Sequence, residues 1–451
     1  MTKTLPKKKI PAKNMKFGIE FELFTLDEKG YMTNGADRLI KAVNAAYPNI
    51  NIKREIGKNM VELNTPPYTD VADAMLITLE DFEAVVTCAR QEGLVLYAYG
   101  TYPGTFTPEA HNLKRFNALK QIYGQQRFNN FGRCIGLHIH YSLPWGVFDY
   151  LEKMIKPLIA SKNKQSMVNI YNLAIAMDPA LTCFTQSSPF YQGKYLAKDS
   201  RMLAFRGGKE LNYPQGIFTD LPQFGALQGY LTTNTDLLNL IKARFEEWSE
   251  LATDIGRKAE MLTKYGSILD NTWNPIKINA HGTMEIRGMD INHPDIVVAV
   301  ASTIKHIFKA IQEKFLEVVP SDKGIENPFL LEGKTIYIPP DSYVRGELQK
   351  LSAYEGLDSD VIYKYCQNLL KLAKSFMPEK KWPLLAPLET ILANRQTASD
   401  RILKKVKDLG FNSDNGLTDG QAAQLALMLS ADLYSEIIIT KQNLKRYLED
   451  N

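Results

Sequence analysis

Lys16-Phe17-Gly18-Ile19-Glu20-Phe21-Glu22-Leu23-Phe24-Thr25 is the stretch on which the reading of this chain turns. Polar and apolar positions alternate through it, the two-residue period of a strand with one face toward a core. Glu20 and Glu22, at i and i+2, then project side by side from one face. The turn sequence Asp27–Gly30 follows, so the stretch opens a hairpin. Two further segments repeat the pattern with other chemistry. Gly136-Leu137-His138-Ile139-His140 presents two imidazoles, and Thr283-Met284-Glu285-Ile286-Arg287 a carboxylate and a guanidinium. The segment Arg54-Glu55-Ile56-Gly57-Lys58-Asn59-Met60-Val61-Glu62-Leu63 adds Glu55 and Glu62. Each pair alone is ordinarily a solvated strand face or a simple ion pair. Gathered on apolar strands of one chain, they point to one shared polar surface.

Two adjacent carboxylates on a common face repel each other unless cations lie between them. Several Glu with one or two His suit Mg²⁺ or Mn²⁺, because hard oxygen ligands dominate. Zinc sites carry more nitrogen or sulfur. Two or more such ions in one site suit phosphoryl chemistry, where metals bridge phosphate oxygens and offset developing charge. No G-x-x-x-x-G-K-[ST] loop occurs, so phosphate is not expected in a P-loop cradle.

The rest of the pattern sets the fold class. Met60–Asn64 and Cys134–Leu143 read as strands, with Thr283–Arg287 a fourth. Asp70–Glu92, Val168–Phe184 and Asp236–Lys264 read as helices, with apolar residues at three- and four-residue spacing. Past Pro294 the strand signals fade: Asp295–Val319 reads as a helix, Pro320–Pro340 as a loop, and the remainder as helices ending in Asp419–Leu448. Strands and helices do not alternate as in a parallel doubly wound sheet or barrel. The expectation is an α+β domain over residues 16–320 with antiparallel strands, preceded by a flexible basic head (1–15) and followed by a helical portion (321–451) packed on the same domain.

Composition removes other classes. With 451 residues, 45% hydrophobic and 23% charged, the chain is neither disordered nor a disulfide-stapled miniature. The formal charge of +4 owes its sign to Lys3, Lys7, Lys8, Lys9, Lys13 and Lys16, which stand in a head without acids; removing these six leaves −2 for the body. No nucleic-acid partner is expected of such a body. Cys88, Cys134, Cys183 and Cys366 form no C-x-x-C pair and suit reduced thiols in the cytoplasm. No secretory h-region follows the basic head, and no stretch reaches about 18 apolar residues, so no membrane-crossing helix is expected.

The motifs FGIEFELF (17–24), REIGKNMVELNTPP (54–67), GLHIHYSLP (136–144), SSPFYQGKYLAKDSRM (187–202) and TMEIRGMDIN (283–292) resemble, in content and order, the glutamate–cysteine ligase type 2 group of carboxylate–amine ligases. They also resemble, more distantly, the catalytic domain of glutamine synthetase. The later ILANRQTASDRILKKVKDLG (391–410) is similar to the helical ending of the same ligases. The resemblance implies a glutamine synthetase-like, saddle-shaped antiparallel sheet backed by helices, with the site on the concave face. It implies an enzyme that activates a carboxylate, normally that of the glutamate side chain, with ATP and Mg²⁺ or Mn²⁺, the acyl phosphate then being attacked by an amine.

Carried over by position, Glu20, Glu22, Glu55, Glu62, His138 and Glu285 match metal ligands, and His140 faces nucleotide or substrate. Arg287, with Glu285 beside it, matches the arginine that stabilises the transferring phosphoryl group. Arg201 is a candidate contact to the acyl phosphate, the nucleotide or the amino-acid carboxylate; Asn172 and Arg206 are lesser candidates. The wording H-I-H-Y-S-L-P is closer to glutamine synthetase than to the H-x-H-V usual in the ligase group. That leaves the amine open between cysteine and another primary amine. A homo-oligomer also stays open. His111, His293 and His306 lie outside the motifs and read as structural, as do the tyrosines and glycines of Tyr97–Gly104. The competing readings are a metal-dependent hydrolase built on H-x-H, which would need more histidines at later strands, and a catalytically silent nucleotide-binding homologue.

Overall fold

The computed structural model describes residues 15–157, 161–411 and 416–450; apart from Met15, the basic head lies outside the described residues. Seven strands form one antiparallel sheet: β1 (Phe17–Asp27), β2 (Ile52–Arg54), β3 (Met60–Asn64), β4 (Leu94–Tyr97), β5 (Gly136–Ser142), β6 (Ile276–Asn279) and β7 (Thr283–Asp290). Their order is β6–β7–β5–β1–β3–β2, with β4 also paired to β1. The opening stretch is thus the spine of the sheet. Its first half pairs with β5, its middle with β3 and its last residues with β4.

Alternation along β1 sorts the two faces. Ile19, Phe21 and Leu23 are buried on one side, where Phe21 meets Phe82 edge-on at 6.2 Å. Tyr141 of β5 likewise meets Phe308 at 5.4 Å. Helices cover this face; the longer helices of the chain are α1 (Ala36–Ala46), α2 (Val71–Gln91), α3 (Lys114–Phe131), α4 (Lys162–Thr185), α5 (Asn234–Asp254), α6 (Pro294–Lys314), α7 (Asp360–Phe376), α8 (Ala386–Asn394), α9 (Ala398–Asp408) and α10 (Asp419–Asp450), and Phe82 and Phe308 come from α2 and α6. Each large apolar side chain so buried contributes about 2–3 kcal/mol. The α+β class, the antiparallel sheet and the helical C-terminal region are all as expected.

The ends of elements follow local chemistry. Asp70 caps α2 by accepting from the Ala72 amide. The helix expected over 236–264 stops at Asp254, and Gly256 follows at φ 70°, a conformation that breaks the helical path. The helix expected to reach Val319 stops at Lys314, where Phe315 turns left-handed at φ 50°. The segment expected as a loop holds a second sheet: β8 (Glu317–Pro320) runs parallel to β10 (Thr335–Ile338), with β9 (Leu330–Glu332) antiparallel to it. This sheet ties the chain together across residue 320. Beyond it, α10 is long and apolar enough to cross a membrane by length and composition, which a search for unbroken apolar runs missed. Here Ala422, Leu425, Leu429, Leu433 and Leu444 of that helix are buried in the shared core.

His306 on α6 is buried, and that burial, with Lys305, Lys381 and Lys309 nearby, pushes its imidazole down to about 4 from an ordinary 6.5. An unfolded chain therefore binds a proton at this site between those two values that the folded chain refuses. Stability should be complete above about pH 6.5 and fall as pH drops toward about 4. Urea midpoints measured across that range should show a shallower loss for His306→Gln than for the parent; equal slopes would remove His306 from the acid response.

Candidate active site

Antiparallel register collects the polar pairs on the face opposite the helices. Glu22 stands across from Glu62, Glu20 from His138, and His140 from Glu285. Residues directly opposite share a face and come within side-chain reach. Glu55, just before β3, joins Glu22 and Glu62. Three overlapping groups result, each with one ligand atom per residue and all such atoms within 4.8 Å of one another: Glu20, Glu62 and His138; Glu20, His140 and Glu285; and Glu22, Glu55 and Glu62. Every residue marked out as a metal ligand in the sequence is in this cluster, together with His140.

The Glu20 carboxylate lies between two imidazoles, with Oε2 3.0 Å from His138 Nδ1 and Oε1 3.2 Å from His140 Nε2. A carboxylate can only accept, so His138 Nδ1 carries the proton and its Nε2 keeps a lone pair in the neutral ring. That Nε2 is buried without a hydrogen bond and lies 3.6 Å from Glu22 Oε1. A lone pair facing a carboxylate oxygen is unfavourable unless a cation sits between them. His140 Nε2 is also buried without a well-formed hydrogen bond, while its Nδ1 is 3.0 Å from Thr283 Oγ1. Orphaned ring nitrogens beside clustered carboxylates fit hard divalent ions with mixed oxygen and nitrogen ligands.

Local donors hold the remaining oxygens. Glu22 Oε2 accepts from the Gly136 amide at 2.5 Å, Glu62 Oε1 from Asn64 Nδ2 at 2.8 Å, and Glu285 Oε2 from Asn279 Nδ2 at 2.8 Å. Arg287 Nη1 is 3.2 Å from Glu285 Oε1. The β5–β7 register shifts between Ile286 and Met289, so the strand bulges at Arg287. Such a bulge re-aims the side chain it carries.

The charges sort unevenly. Burial, then the nearby carboxylates of Glu62 and Glu22, raise the Glu55 carboxyl well above its usual range, and Lys264 offsets only part of this. Burial works the same way on Glu20, but His140 and His138 overcome it and hold that carboxyl well below. Glu285 behaves likewise: burial is overcome by Arg287, Lys277 and His140. His140 is raised because Glu20 outweighs its burial.

Several residues of this surface gave no signal in the sequence. Asn64 lies two residues along β3 from Glu62, and an i, i+2 Asn beside a metal-type Glu was the available clue; Asn279 reaches Glu285 from the neighbouring strand β6 and had none. Lys277 is paired in register with Glu285, and burial with Arg287 nearby pushes its amine down to about 8. Arg115 of α3 lies over the Trp273 ring at 5.6 Å, and its buried Nε has no hydrogen-bond partner among the described residues.

Arg201 is not in the cluster itself. It is 4% exposed in a short helix, Ser200–Phe205, with Nη2 donating to the Arg287 carbonyl at 3.3 Å. A side chain at Gly136 would place a Cβ 2.2 Å from that nitrogen, so glycine there permits the approach. Arg201 thus meets the backbones of β5 and β7 at the Gly136 end of the polar face. Arg206 forms a buried two-point pair with Asp178 at 2.6 and 2.8 Å, and Asn172 pins the Leu231 backbone at 2.7 and 2.9 Å. Both are structural. Tyr97, Tyr99 and Tyr102 stack in the core.

Residues 16–335 match the sequence model described as glutamate-cysteine ligase family 2. The glutamate–cysteine ligase of Halobacterium salinarum is 24% identical over 285 residues, which span 62% of this chain and 66% of that protein, just under two thirds of its length. Among solved structures, a glutamate–cysteine ligase of Francisella tularensis in complex with AMP superposes at a TM-score of 0.58 with 12% identity, covering 97% of this chain and 93% of that one. A bifunctional glutathione synthetase of Pasteurella multocida superposes at 0.56, also 12% identical, covering 93% of this chain and 53% of that one. At such identities the likeness shows the fold, and that fold is the glutamine synthetase-like one.

Crowded carboxylates make a direct test. Glu62→Gln removes one charge from the set, so in metal-free buffer its thermal midpoint should rise by about 1–3 °C. Mn²⁺ should raise the parent's midpoint further by mass action, and that increment should shrink by more than half in the variant. A variant that melts lower without metal and keeps the full Mn²⁺ increment would make Glu62 a purely structural carboxylate.

Proposed function

Because the chain belongs to glutamate-cysteine ligase family 2, we propose that it is an ATP- and Mg²⁺-dependent carboxylate–amine ligase that forms an amide, with the γ-carboxylate of glutamate as the acid. One observation supports this above the others: three overlapping ligand groups run without a gap from Glu55 to Glu285 across four strands, and Arg287 stands at one end of them. A single catalytic ion would need one such group. A row of them suits a polyphosphate, whose oxygens are spread over several ångströms and need more than one cation.

In this reading Glu20, Glu22, Glu55, Glu62, His138 and Glu285 hold the divalent ions, Mg²⁺ or Mn²⁺. When bound, those ions neutralise phosphate charge so that a carboxylate can approach the γ-phosphorus. The γ-phosphoryl group passes to a carboxylate oxygen of the acid and ADP leaves. The amine nitrogen then attacks the acyl carbon, phosphate leaves and the nitrogen gives up a proton. Arg287 is the catalytic residue for the phosphoryl group, its fork matched to the equatorial oxygens and aimed by the bulge and by Glu285. His140, oriented by Thr283, faces the nucleotide or substrate. Arg201 acts from the Gly136 end of the site, holding the Arg287 backbone and adding positive charge there. Lys277 and Arg115 add positive charge where the acid's own carboxylates would lie. Residues 16–320 form the catalytic unit and the later helices brace it. The four cysteines are buried and unpaired, as suits a cytoplasmic enzyme. Cysteine or another small primary amine serves as the nucleophile.

ADP release from glutamate and a panel of amines, with Mg²⁺ present or chelated, tests the reading. ADP should form only when acid, amine and metal coexist; Mg²⁺-dependent amide hydrolysis without ATP would replace the ligase with a hydrolase, and ATP binding without turnover for any pair would mark a silent homologue. Arg287→Ala should lower kcat by roughly 10³-fold with little change in the metal midpoint. Glu20→Gln should abolish turnover at limiting Mg²⁺; full activity there would remove Glu20 from the ligand set.

A further inference from the structure

A second polar site lies in the helical layer, away from the carboxylate cluster. Two cavities of about 440 and 420 Å³ meet where the N-terminal end of α6 faces α8, α9 and α10, and Asp295 and Arg401 line both. The larger has an apolar wall that includes Ile296, Leu384, Ile391 and Leu444. The smaller is lined by His293, Asp295, Lys405, Asp432 and Glu436. Each volume is in the range of a small-ligand pocket.

The charges here are arranged in an unusual way. Asp295 and Glu436 lie close together, each offering an oxygen within 4.8 Å of the other and of a His293 nitrogen. Asp295 accepts from local backbone amides, Ile296 among them, and neither carboxylate has a cation within 4.0 Å among the described residues. Lys405 does not serve them, because it is paired with Asp432 at 2.6 Å. Arg401, which is exposed to water on its other side, lines the same space, and its guanidinium has no ion pair or hydrogen bond among the described residues. Opposite charges that could have paired are therefore held apart across a cavity. Thr440, 3% exposed, lines the larger cavity with a hydroxyl that has no hydrogen-bond partner among the described residues. A buried hydroxyl without a partner is costly unless something else satisfies it.

A divalent cation would satisfy the acids but not the arginine. It would also sit between Arg401, Lys405 and the positive end of a 21-residue helix, all of which repel it. An anion alone would satisfy the arginine but not the acids. His293 does not supply the missing positive charge: burial, then Arg401 and Lys405, push its imidazole down to about 3, and the Tyr99 hydroxyl holds its Nε2 at 2.8 Å. We infer that this paired cavity binds an L-α-amino acid with an apolar side chain. The ammonium sits at Asp295 and Glu436, the carboxylate at Arg401 and the side chain against Ile296, Leu384, Ile391 and Leu444. Thr440 is placed to meet a polar atom of the same ligand.

Calorimetric titration of the full chain with L-leucine or L-phenylalanine, in EDTA and without ATP, tests this. At least one should give a saturable isotherm. 4-Methylpentanoate, which lacks the amine, and 3-methylbutylamine, which lacks the carboxylate, should each bind at least about ten-fold more weakly than leucine, the worth of one charge-assisted contact. Arg401→Gln and Glu436→Gln should weaken the amino acid by a similar factor while leaving the melting temperature and the ligand-free rate of ADP release unchanged. No heat with either amino acid overturns the inference. So does an analogue lacking one charge that binds equally well, or Mn²⁺ (titrated without EDTA) that binds and is lost in Glu436→Gln while the amino acids do not bind. Since Glu20 and Arg287 take no part, these outcomes leave the ligase reading where its own assays put it.

Discussion

Five carboxylates drawn onto one face of one sheet repel each other, and the protein must hold that arrangement. Glu20, Glu22, Glu62 and Glu285 cannot spread apart, because antiparallel register fixes which residue stands across from which, and Glu55 joins them from the turn between β2 and β3. A slip of one residue along β1 would turn Glu20 and Glu22 into the apolar layer and bring Phe21 to the polar face. The cost of a wrong register is thus set by both faces at once. The apolar face is an anchor, and the polar face is what it anchors.

Much of the local chemistry reads as management of that repulsion. Asn64, Asn279 and the Gly136 amide each give one hydrogen bond to one carboxylate. His138, His140 and Arg287 bring nitrogen to others. The result is graded rather than uniform. Glu20, beside two imidazoles, and Glu285, beside Arg287, are held toward the ionised form, whereas Glu55, beside two other acids, is pushed toward its neutral form. The helices that cover the far side include the C-terminal ones, which share a single core with the sheet. A rigid back layer keeps a repulsive front layer at fixed spacing, as a site that must meet a polyphosphate requires.

What could be read from the sequence follows from the range of each signal. Glu20 and Glu22 on β1, His138 and His140 on β5 and Glu285 on β7 were legible because i, i+2 on an apolar strand is a purely local rule. Asn64 obeys the same rule, but a lone Asn at that position has no charge to draw notice, and Asn279 reaches Glu285 only across the pairing of β6 with β7. Arg115 and Lys277 could not be found this way. Arg115 enters from a helix of unremarkable composition, and Lys277 matters only through its cross-strand neighbour Glu285. Element ends failed for a related reason. The left-handed turn at Phe315 has no glycine to announce it, so the helix was expected to run on into what is the strand Glu317–Pro320. In α10 the apolar residues are interrupted often enough to hide its total, and its packing against the core is a tertiary fact.

The same electrostatic reasoning gives opposite readings in two parts of one chain. On the sheet, like charges are pressed together, and the missing component is positive. Between α6 and α10, unlike charges are kept apart although each is close enough to the shared space to line it, and the missing component must carry both signs. Neither deficit is visible from net charge. The body sums to about −2 once the lysine-rich head is set aside, a value that would fit an ordinary solvated surface. What separates a site from a surface here is whether each charge has found its partner within the protein. Arg206 with Asp178, and Lys405 with Asp432, have done so, and they hold the fold. Glu20 with its neighbours, and Asp295 facing the exposed Arg401 across a cavity, have not, and a fold that crowds like charges onto one buried sheet face is stable because the packing behind them outweighs the cost.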